Sequence, residues 1–110
     1  MLTMSILDPS TPPLKPAELF VLAALRAAPL HGYGLVQEVA ARSQGRIRVR
    51  PGNLYWVLDR LLARGLIEVH ERASASEERR TYYRITPLGR RVAQAEAKLL
   101  ADVIGELLAT

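Results

Sequence analysis

Residues 51–67 read PGNLYWVLDRLLARGLI, a helical pattern that passes directly into the pattern of a strand. Pro51 suits the first turn of a helix, and Gly65 suits the position just beyond its end. Between them the leucines recur at the spacing of one helical face: Leu54, Leu58, Leu61 and Leu62. After Gly65 apolar and polar residues alternate, as they do along a half-buried strand. We therefore predict one amphipathic helix, closed by a glycine and followed at once by a β-strand.

The two faces of this helix carry different residues. Tyr55 accompanies the leucines, so we expect it on the buried side. The opposite face carries side chains at offsets of three and four residues: Asn53, Trp56, Val57, Arg60 and Arg64. We expect this second face to be exposed and available for contact with a partner.

Downstream of the helix the sequence predicts a β-hairpin and a last helix. Residues 66–70 and 80–85 alternate between apolar and polar side chains, and a polar stretch joins them, as in a hairpin. The residues expected to point inward are Ile67, Val69, Tyr83 and Ile85. Thr86 and Pro87 are an N-cap and a first-turn residue, and they open a helix that runs to about Leu108.

Upstream of residue 51 two more helices are predicted. The first runs from Lys15 to Ala28 and has so few polar positions that we expect it at the centre of the core. The second runs from His31 to about Ser43. Residues 46–50 then alternate isoleucine and valine with arginine, which predicts a very short strand or an extended linker.

Three helices, a hairpin and a final helix make the winged helix-turn-helix arrangement, a mainly α fold class with a small β-hairpin. The chain of 110 residues is long enough for one domain. We expect a Pro-rich N-terminal arm over residues 1–14 that leads into the core without joining it. The winged helix-turn-helix domain follows over 15–86, and a C-terminal dimerisation helix over 87–110.

Composition excludes several classes of function. The absence of cysteine excludes disulfides, a thiolate nucleophile and cysteine-based metal sites. The two histidines, His31 and His70, lack ligand spacing, so no metal site and no cofactor is expected. No paired carboxylates or nucleophile–base set points to an enzyme. Neither a signal peptide nor a membrane-spanning run is found, which predicts a cytoplasmic protein with no membrane partner.

The positive charge is mostly arginine. The net charge is +4, and thirteen of the fifteen basic residues are arginine, whose planar fork suits phosphate and guanine. A GC-rich genome would raise the arginine content as well. The positions of the arginines in the sequence therefore have to distinguish a compositional bias from a binding role. Residues 42–50 contain four arginines and no acid, which favours an anionic partner. A second group of arginines flanks the hairpin turn. Three acids there, Glu71, Glu77 and Glu78, offset part of its positive charge.

Four blocks of sequence occur in order: PLHGY at 29–33, PGNLY at 51–55, LDRLLARGLI at 58–67 and RRTYYRITPLGR at 79–90. Together they resemble the PadR family of bacterial transcriptional regulators, over about residues 19–91. The resemblance implies a homodimeric repressor that binds double-stranded DNA, with the helix from residue 51 as its recognition helix. It also implies a C-terminal helix that pairs with a second subunit, and a small hydrophobic effector that acts between these helices.

The recognition helix departs from the family pattern at two positions. Trp56 stands where proline or a small residue is frequent, and Asn53 stands where serine is common. The base preference of the family therefore does not carry over. The hairpin loop also lacks the glycines usual at its tip.

Nine residues are candidates for DNA contact: Arg48, Arg50, Gly52, Asn53, Trp56, Arg60, Arg79, Arg80 and Tyr82. Several have structural alternatives. Gly52 can let a phosphate approach the helix start or serve a tight turn, and Asn53 can pair with adenine or cap the helix. Arg60 can reach a phosphate or pair with a nearby acid. Arg79 and Arg80 can reach the DNA backbone or the minor groove, or be solvated charges that prevent edge pairing.

The aromatic and histidine candidates also have two interpretations each. An exposed Trp56 needs a partner, either DNA, an effector or the C-terminal helix, unless its indole folds onto the wing or the linker. His31 and Tyr33 open the second helix, where a phosphate contact is possible. His31 can equally be a buried, hydrogen-bonded structural residue.

The end of the last helix has an apolar face too broad for one small core to cover. It consists of Leu99, Leu100, Val103, Ile104, Leu107 and Leu108. A second copy of the helix would cover this face and give a twofold-symmetric dimer. The alternative is a helix that folds back on its own domain.

Two classes of function remain. The first is a sequence-specific DNA-binding transcriptional regulator, a repressor that binds a palindromic operator as a homodimer. The alternative is a winged-helix protein-interaction module without DNA binding, favoured by the acids Glu77 and Glu78 in the hairpin loop.

Overall fold

The computed structural model describes residues 13–73 and 80–109. They form four helices and three strands: α1 (Pro16–Ala27), β1 (Leu30–His31), α2 (Gly32–Arg42), α3 (Pro51–Ala63), β2 (Ile67–Ala73), β3 (Arg80–Ile85) and α4 (Pro87–Leu108). The predicted helices and the predicted hairpin are confirmed. Gly65 follows α3 with a φ of +73°, a left-handed conformation that glycine adopts without steric cost.

The sheet has one more strand than the sequence predicted. Its order is β1-β3-β2, and both pairings are antiparallel. β1 pairs Leu30 with Tyr83 and His31 with Tyr82, so it attaches the start of α2 to the hairpin. Residues 47–50 form no strand. Of the two predicted possibilities, a very short strand and an extended linker, the extended linker is the one observed.

The core lies between α1 and the helices and strands around it. Its largest fully buried side chains come from all three N-terminal helices and the start of β2, and include Leu22, Leu25, Leu35, Leu58, Leu61 and Ile67. The central position predicted for α1 is therefore confirmed. Leu14 corrects the expectation for the N-terminal arm, because this last arm residue is buried in the core. Residues 1–12 of the arm lie outside the described part of the chain.

The prediction for the faces of α3 was wrong at two positions. Val57 is 6% exposed and Tyr55 is 60% exposed, the reverse of what the sequence predicted. Val57 stands three residues after Leu54 and four before Leu61, so it shares their face of the helix. Tyr55 is turned about 100° from Leu54, towards the surface. The size and hydrophobicity of tyrosine led to the wrong assignment.

The hairpin is buried only at its base. Ile67, Tyr83 and Ile85 are buried, as predicted, but Val69 is 39% exposed and the prediction that it points into the core was wrong. The register of β2 against β3 shifts between Val69 and Glu71. The cover that the helices provide therefore ends between Ile67 and Val69, and the rest of the hairpin extends from the core as a wing.

The start of α4 is fixed against the end of α3. The Thr86 hydroxyl donates to the carbonyl of Gly65 (2.7 Å) and accepts from the Gly89 N–H (2.9 Å), which caps the helix as predicted. A Cβ on Gly89 would lie 2.0 Å from the carbonyl oxygen of Leu66, so only glycine allows this approach. Val92 is the last buried residue of α4.

Candidate nucleic-acid interface

One side of α3 faces away from the core. Its exposed arc consists of Gly52, Asn53, Tyr55, Trp56 and Asp59, while Leu54 and Leu58 occupy the buried side. Gly52 has nothing within 4 Å of the place where a Cβ would stand, and its φ is not positive. Within the described chain, neither packing nor backbone conformation therefore requires a glycine here. A helix N-terminus with free N–H groups and no side chain in front of them suits an approaching anion.

The linker before α3 presents arginines to solvent. Arg46, Arg48 and Arg50 are exposed, whereas Val49 between them is buried. Arg50 occupies the N-cap position of α3 without a side-chain capping bond. Asn53, which lies inside the first turn, is therefore not the N-cap residue. Two of the candidate arginines and Asn53 thus surround the same helix end.

Two other candidates lie in the loop-side half of β3 and meet beside β1. Arg80 Nη1 lies 3.2 Å from Nε2 of His31, and the ring of Tyr82 meets the His31 ring edge to face, with centroids 5.2 Å apart. His31 is the N-cap of α2, because its Nδ1 accepts a hydrogen bond from the Gly34 N–H (3.2 Å). The hydrogen-bonded structural role of His31 is therefore confirmed, but the residue is half-buried rather than buried. Arg79 lies outside the described residues.

A groove of about 340 Å³ connects the wing to α2 and α3. It is lined by His31, Gly32, Tyr33, Tyr55, Arg80, Thr81 and Tyr83. Tyr33 and Tyr55 are both exposed and come from different helices. The sequence predictions did not include Tyr55 as a site residue. The sequence feature that could have identified Tyr55 as a site residue is its position in the PGNLY block, next to Trp56.

Trp56 is exposed as predicted, and two cations lie over its indole. The Lys15 Nζ stands 5.0 Å and the Arg60 Cζ 4.9 Å from the ring centroid, both within the range of cation–π attraction. Arg60 Nε also donates to Glu18 (3.1 Å), a carboxylate that is 1% exposed. Of the two interpretations of Arg60, pairing with an acid is the one observed. The acid belongs to α1 and not to the neighbouring turn of α3.

The outer face of the wing neutralises part of its own charge. Arg84 Nε donates to Glu68 (2.5 Å), and Arg84 Nη1 lies 3.3 Å from Nδ1 of His70. Both groups are on the neighbouring strand of the hairpin. Arg84 is therefore held within the wing and was not a candidate site residue.

The last three turns of α4 leave their apolar residues exposed in the single chain. Leu99, Val103 and Ile104 are about half exposed, and Leu107 is 78% exposed. Leu100 and Leu108 are exposed as well. Within the described residues this helix end does not fold back on its own domain, so that alternative was wrong.

The described part of the chain lacks two other kinds of site. No three His, Asp or Glu side chains there come together in a way that could hold a metal ion. No helix among those residues is both long and apolar enough to cross a membrane.

Comparison with known proteins gives the family. Residues 21–95 match the transcriptional regulator PadR-like family. The transcriptional regulator Rv3488 of Mycobacterium tuberculosis (strain ATCC 25618 / H37Rv) is 38% identical over 79 residues, which are 72% of this chain and 70% of that protein. A 37.1 kDa protein in transposon TN4556 of Streptomyces fradiae is 34% identical over 91 residues. The chain covers 25% of that protein's length, so the two are alike over one region only.

Solved structures share the fold. A PadR family transcriptional regulator from Eggerthella lenta DSM 2243 is 34% identical, with a TM-score of 0.65 over 84% of this chain and 81% of that one. Bacillus subtilis PadR in complex with operator DNA also has a TM-score of 0.65, over 74% of this chain and 46% of that one. Its sequence is 17% identical, so this likeness concerns the fold alone. The winged helix-turn-helix fold, the four sequence blocks and the matched region lead to one conclusion: the chain belongs to the PadR-like family of transcriptional regulators, which are not enzymes.

Proposed function

We propose that two copies of this chain bind a palindromic operator in double-stranded DNA and repress transcription there. The observation that carries the proposal is the exposed arc of α3, which faces solvent in the described chain and begins beside two exposed arginines. In helix-turn-helix proteins the corresponding helix enters the major groove. The fold shared with a regulator solved on operator DNA supports the same role for α3.

Base edges are read by the middle of the exposed arc. Asn53 has the amide group that can pair with the N6 and N7 positions of adenine. Trp56 offers an apolar ring, which suits the methyl group of thymine. These two side chains give the protein its preference among sequences.

Phosphates are held at the start of α3. Arg48 and Arg50 lie on the linker, and the N–H groups beside Gly52 are open to solvent. A phosphate at this end interacts favourably with the helix dipole and with both guanidinium groups. These contacts fix the position of the protein on DNA but carry no sequence information.

The wing contributes a second set of backbone contacts. Arg80 and Tyr82 lie in the loop-side half of β3 beside the N-cap His31, and Arg80 shares a groove with the exposed Tyr33. Arg79 precedes Arg80 in the sequence and belongs to the same proposal. The polar groove that joins this cluster to Tyr55 supports one continuous surface from the wing to α3.

The second copy of the chain pairs through the apolar face of α4. Each side chain of this size that moves from water into an interface gains roughly 1.5–3 kcal/mol. The six exposed residues from Leu99 to Leu108 therefore favour a twofold dimer. Two recognition helices related by a twofold axis fit half-sites about one DNA turn apart, ~10 bp.

A small hydrophobic effector completes the proposal. The paired C-terminal helices and the recognition helices would enclose apolar surface between them, and a ligand there would change the spacing of the two α3 helices. Release from DNA would follow, because both half-sites must fit at once. As a regulator of transcription the protein works in the cytoplasm.

Selection from a duplex library with a randomised segment tests the proposal. We expect the enriched sequences to contain an inverted repeat, and a gel shift with competitor DNA to retain the enriched duplex. The complex should weaken steeply with added salt, because each phosphate contact releases counterions. If no sequence is enriched and no duplex is shifted, DNA binding is excluded and a protein-interaction module becomes the better assignment.

A further inference from the structure

We propose that Arg60 is a positioning residue for Trp56 and that the buried Glu18 anchors it. This inference rests on the proposed function, because it names the side chains that hold a base-reading residue. It also removes Arg60 from the candidate DNA contacts, where the sequence left a phosphate contact and an acid partner as alternatives. The inference is supported by two contacts of one guanidinium group: Arg60 donates a hydrogen bond to Glu18 and lies over the indole of Trp56.

Glu18 is the fixed point of the arrangement. Its carboxylate is 1% exposed, and each oxygen accepts one hydrogen bond. Oε1 accepts from the backbone N–H of Lys15 (2.8 Å), and Oε2 accepts from Arg60 Nε (3.1 Å). A buried carboxylate is strongly destabilised when it loses its charged partner. Arg60 therefore cannot leave Glu18 for a phosphate without a large cost.

The same guanidinium group constrains Trp56. Arg60 follows Trp56 by four residues, so both lie one above the other on the same side of α3. The Arg60 Cζ is 4.9 Å and the Lys15 Nζ 5.0 Å from the ring centroid. The indole is half exposed, yet two cations from different parts of the chain limit its rotation.

Such a constraint matters for recognition. A side chain that is ordered before binding loses less conformational entropy when it meets its target. Holding Trp56 in one orientation therefore favours the base step that fits this orientation over others. Removal of Arg60 should weaken discrimination between sequences more than it weakens binding to DNA in general.

Trp56 is the only tryptophan of the chain, so intrinsic fluorescence reports on this site alone. We compare the free wild-type protein with Arg60→Gln and with the double variant Glu18→Gln/Arg60→Gln. The double variant removes the buried charge together with its partner, so it keeps a neutral hydrogen-bonding pair where the single variant leaves Glu18 alone. Arg26→Gln, an exposed arginine near the other end of α1, is the matched control, and circular dichroism checks that each variant is folded.

For folded Arg60 variants we expect lower anisotropy and stronger acrylamide quenching of Trp56 than in wild type and in Arg26→Gln. Unchanged anisotropy and quenching in the variants would overturn the proposal. This measurement needs no DNA and therefore does not depend on the proposed function.

A DNA measurement completes the test, with the duplex enriched by selection and a scrambled duplex of the same length. We expect the double variant to lose about three- to tenfold of the preference for the enriched duplex and to keep the wild-type salt dependence. An equal loss on both duplexes, with the salt slope reduced by about one, would identify Arg60 as a phosphate contact and overturn the proposal. If wild type prefers no duplex, the proposed function fails, and the fluorescence of the free protein still decides whether Arg60 holds Trp56.

Discussion

His31 and Tyr82 are paired across β1 and β3, and their rings meet edge to face with centroids 5.2 Å apart. His31 also caps α2 through Nδ1, so one residue connects the helix-turn-helix to the wing. β1 contains only two residues, but its pairing sets the position of the wing relative to α2.

Replacement of His31 tests this connection. His31→Ala removes a helix cap, a loss of about 1 kcal/mol, and an aromatic contact worth about 0.5–1.5 kcal/mol. We expect the free energy of unfolding in urea, at one protein concentration, to fall by about 1.5–2.5 kcal/mol. Gln37→Ala, on the exposed side of the same helix, should change it by less than about 0.5 kcal/mol. An equal change in the free energy of unfolding for His31→Ala and Gln37→Ala would contradict a stabilising role of His31 between α2 and the wing.

Gly89 tests the packing of α4 against the end of α3. A Cβ at this position would stand 2.0 Å from a backbone oxygen, so Gly89→Ala forces α4 away from Leu66. We expect a loss of at least about 2 kcal/mol in thermal or urea unfolding. Gly105→Ala in the same helix has open space around it and should gain about 0.5–1 kcal/mol. A tolerated Gly89→Ala would contradict the close approach.

The division between phosphate contacts and base contacts is measurable on two duplexes. Arg50→Ala should lower the affinity for the enriched and the scrambled duplex alike and reduce the salt slope by about one. Asn53→Ala should cost about 1–3 kcal/mol on the enriched duplex only. Titrations by fluorescence anisotropy at several salt concentrations provide the affinity for each duplex and its salt dependence. Equal losses for the two variants on both duplexes would refute the division.

The apolar end of α4 should determine the oligomeric state. Ile104→Asp places a charge within the exposed apolar face, and we expect the chain to become a monomer in sedimentation equilibrium. Gln94→Asp adds the same charge at an exposed position that precedes the apolar face of Leu99–Leu108 along the helix, and it should leave the dimer intact. A wild-type protein that sediments as a monomer would refute the dimer itself.

Local sequence patterns were sufficient to predict most of the fold. The periodicity of α3, the glycine after it and the alternation of the hairpin depend on neighbouring residues, and the structure confirms them. β1 could not be predicted in this way, because two residues do not establish a period. Tyr55 was misplaced because its residue type was given more weight than its helical angle. Val57 was misplaced because its spacing from Asn53 was given more weight than its spacing from Leu54 and Leu61.

The partnership of Arg60 with Glu18 depends on tertiary structure. The two residues are 42 positions apart, and no periodicity connects them. In the sequence Glu18 is an acid close to the start of the first predicted helix, a position that the helix dipole favours. Its burial results from the packing of the start of α1 against α3, which a local pattern does not contain. The candidate site was therefore predictable as a set of exposed residues on α3, but the contacts that hold them were not.

Trp56 emission, followed while the enriched duplex is added, tests most directly whether the exposed arc of α3 meets DNA. The tryptophan lies at the middle of that arc, and the chain contains no other. We expect a saturable change in emission that ends at two chains per duplex, and a much smaller change with the scrambled duplex at the same concentrations. A gel shift with unchanged Trp56 emission, or the same change on both duplexes, would contradict a recognition helix at α3.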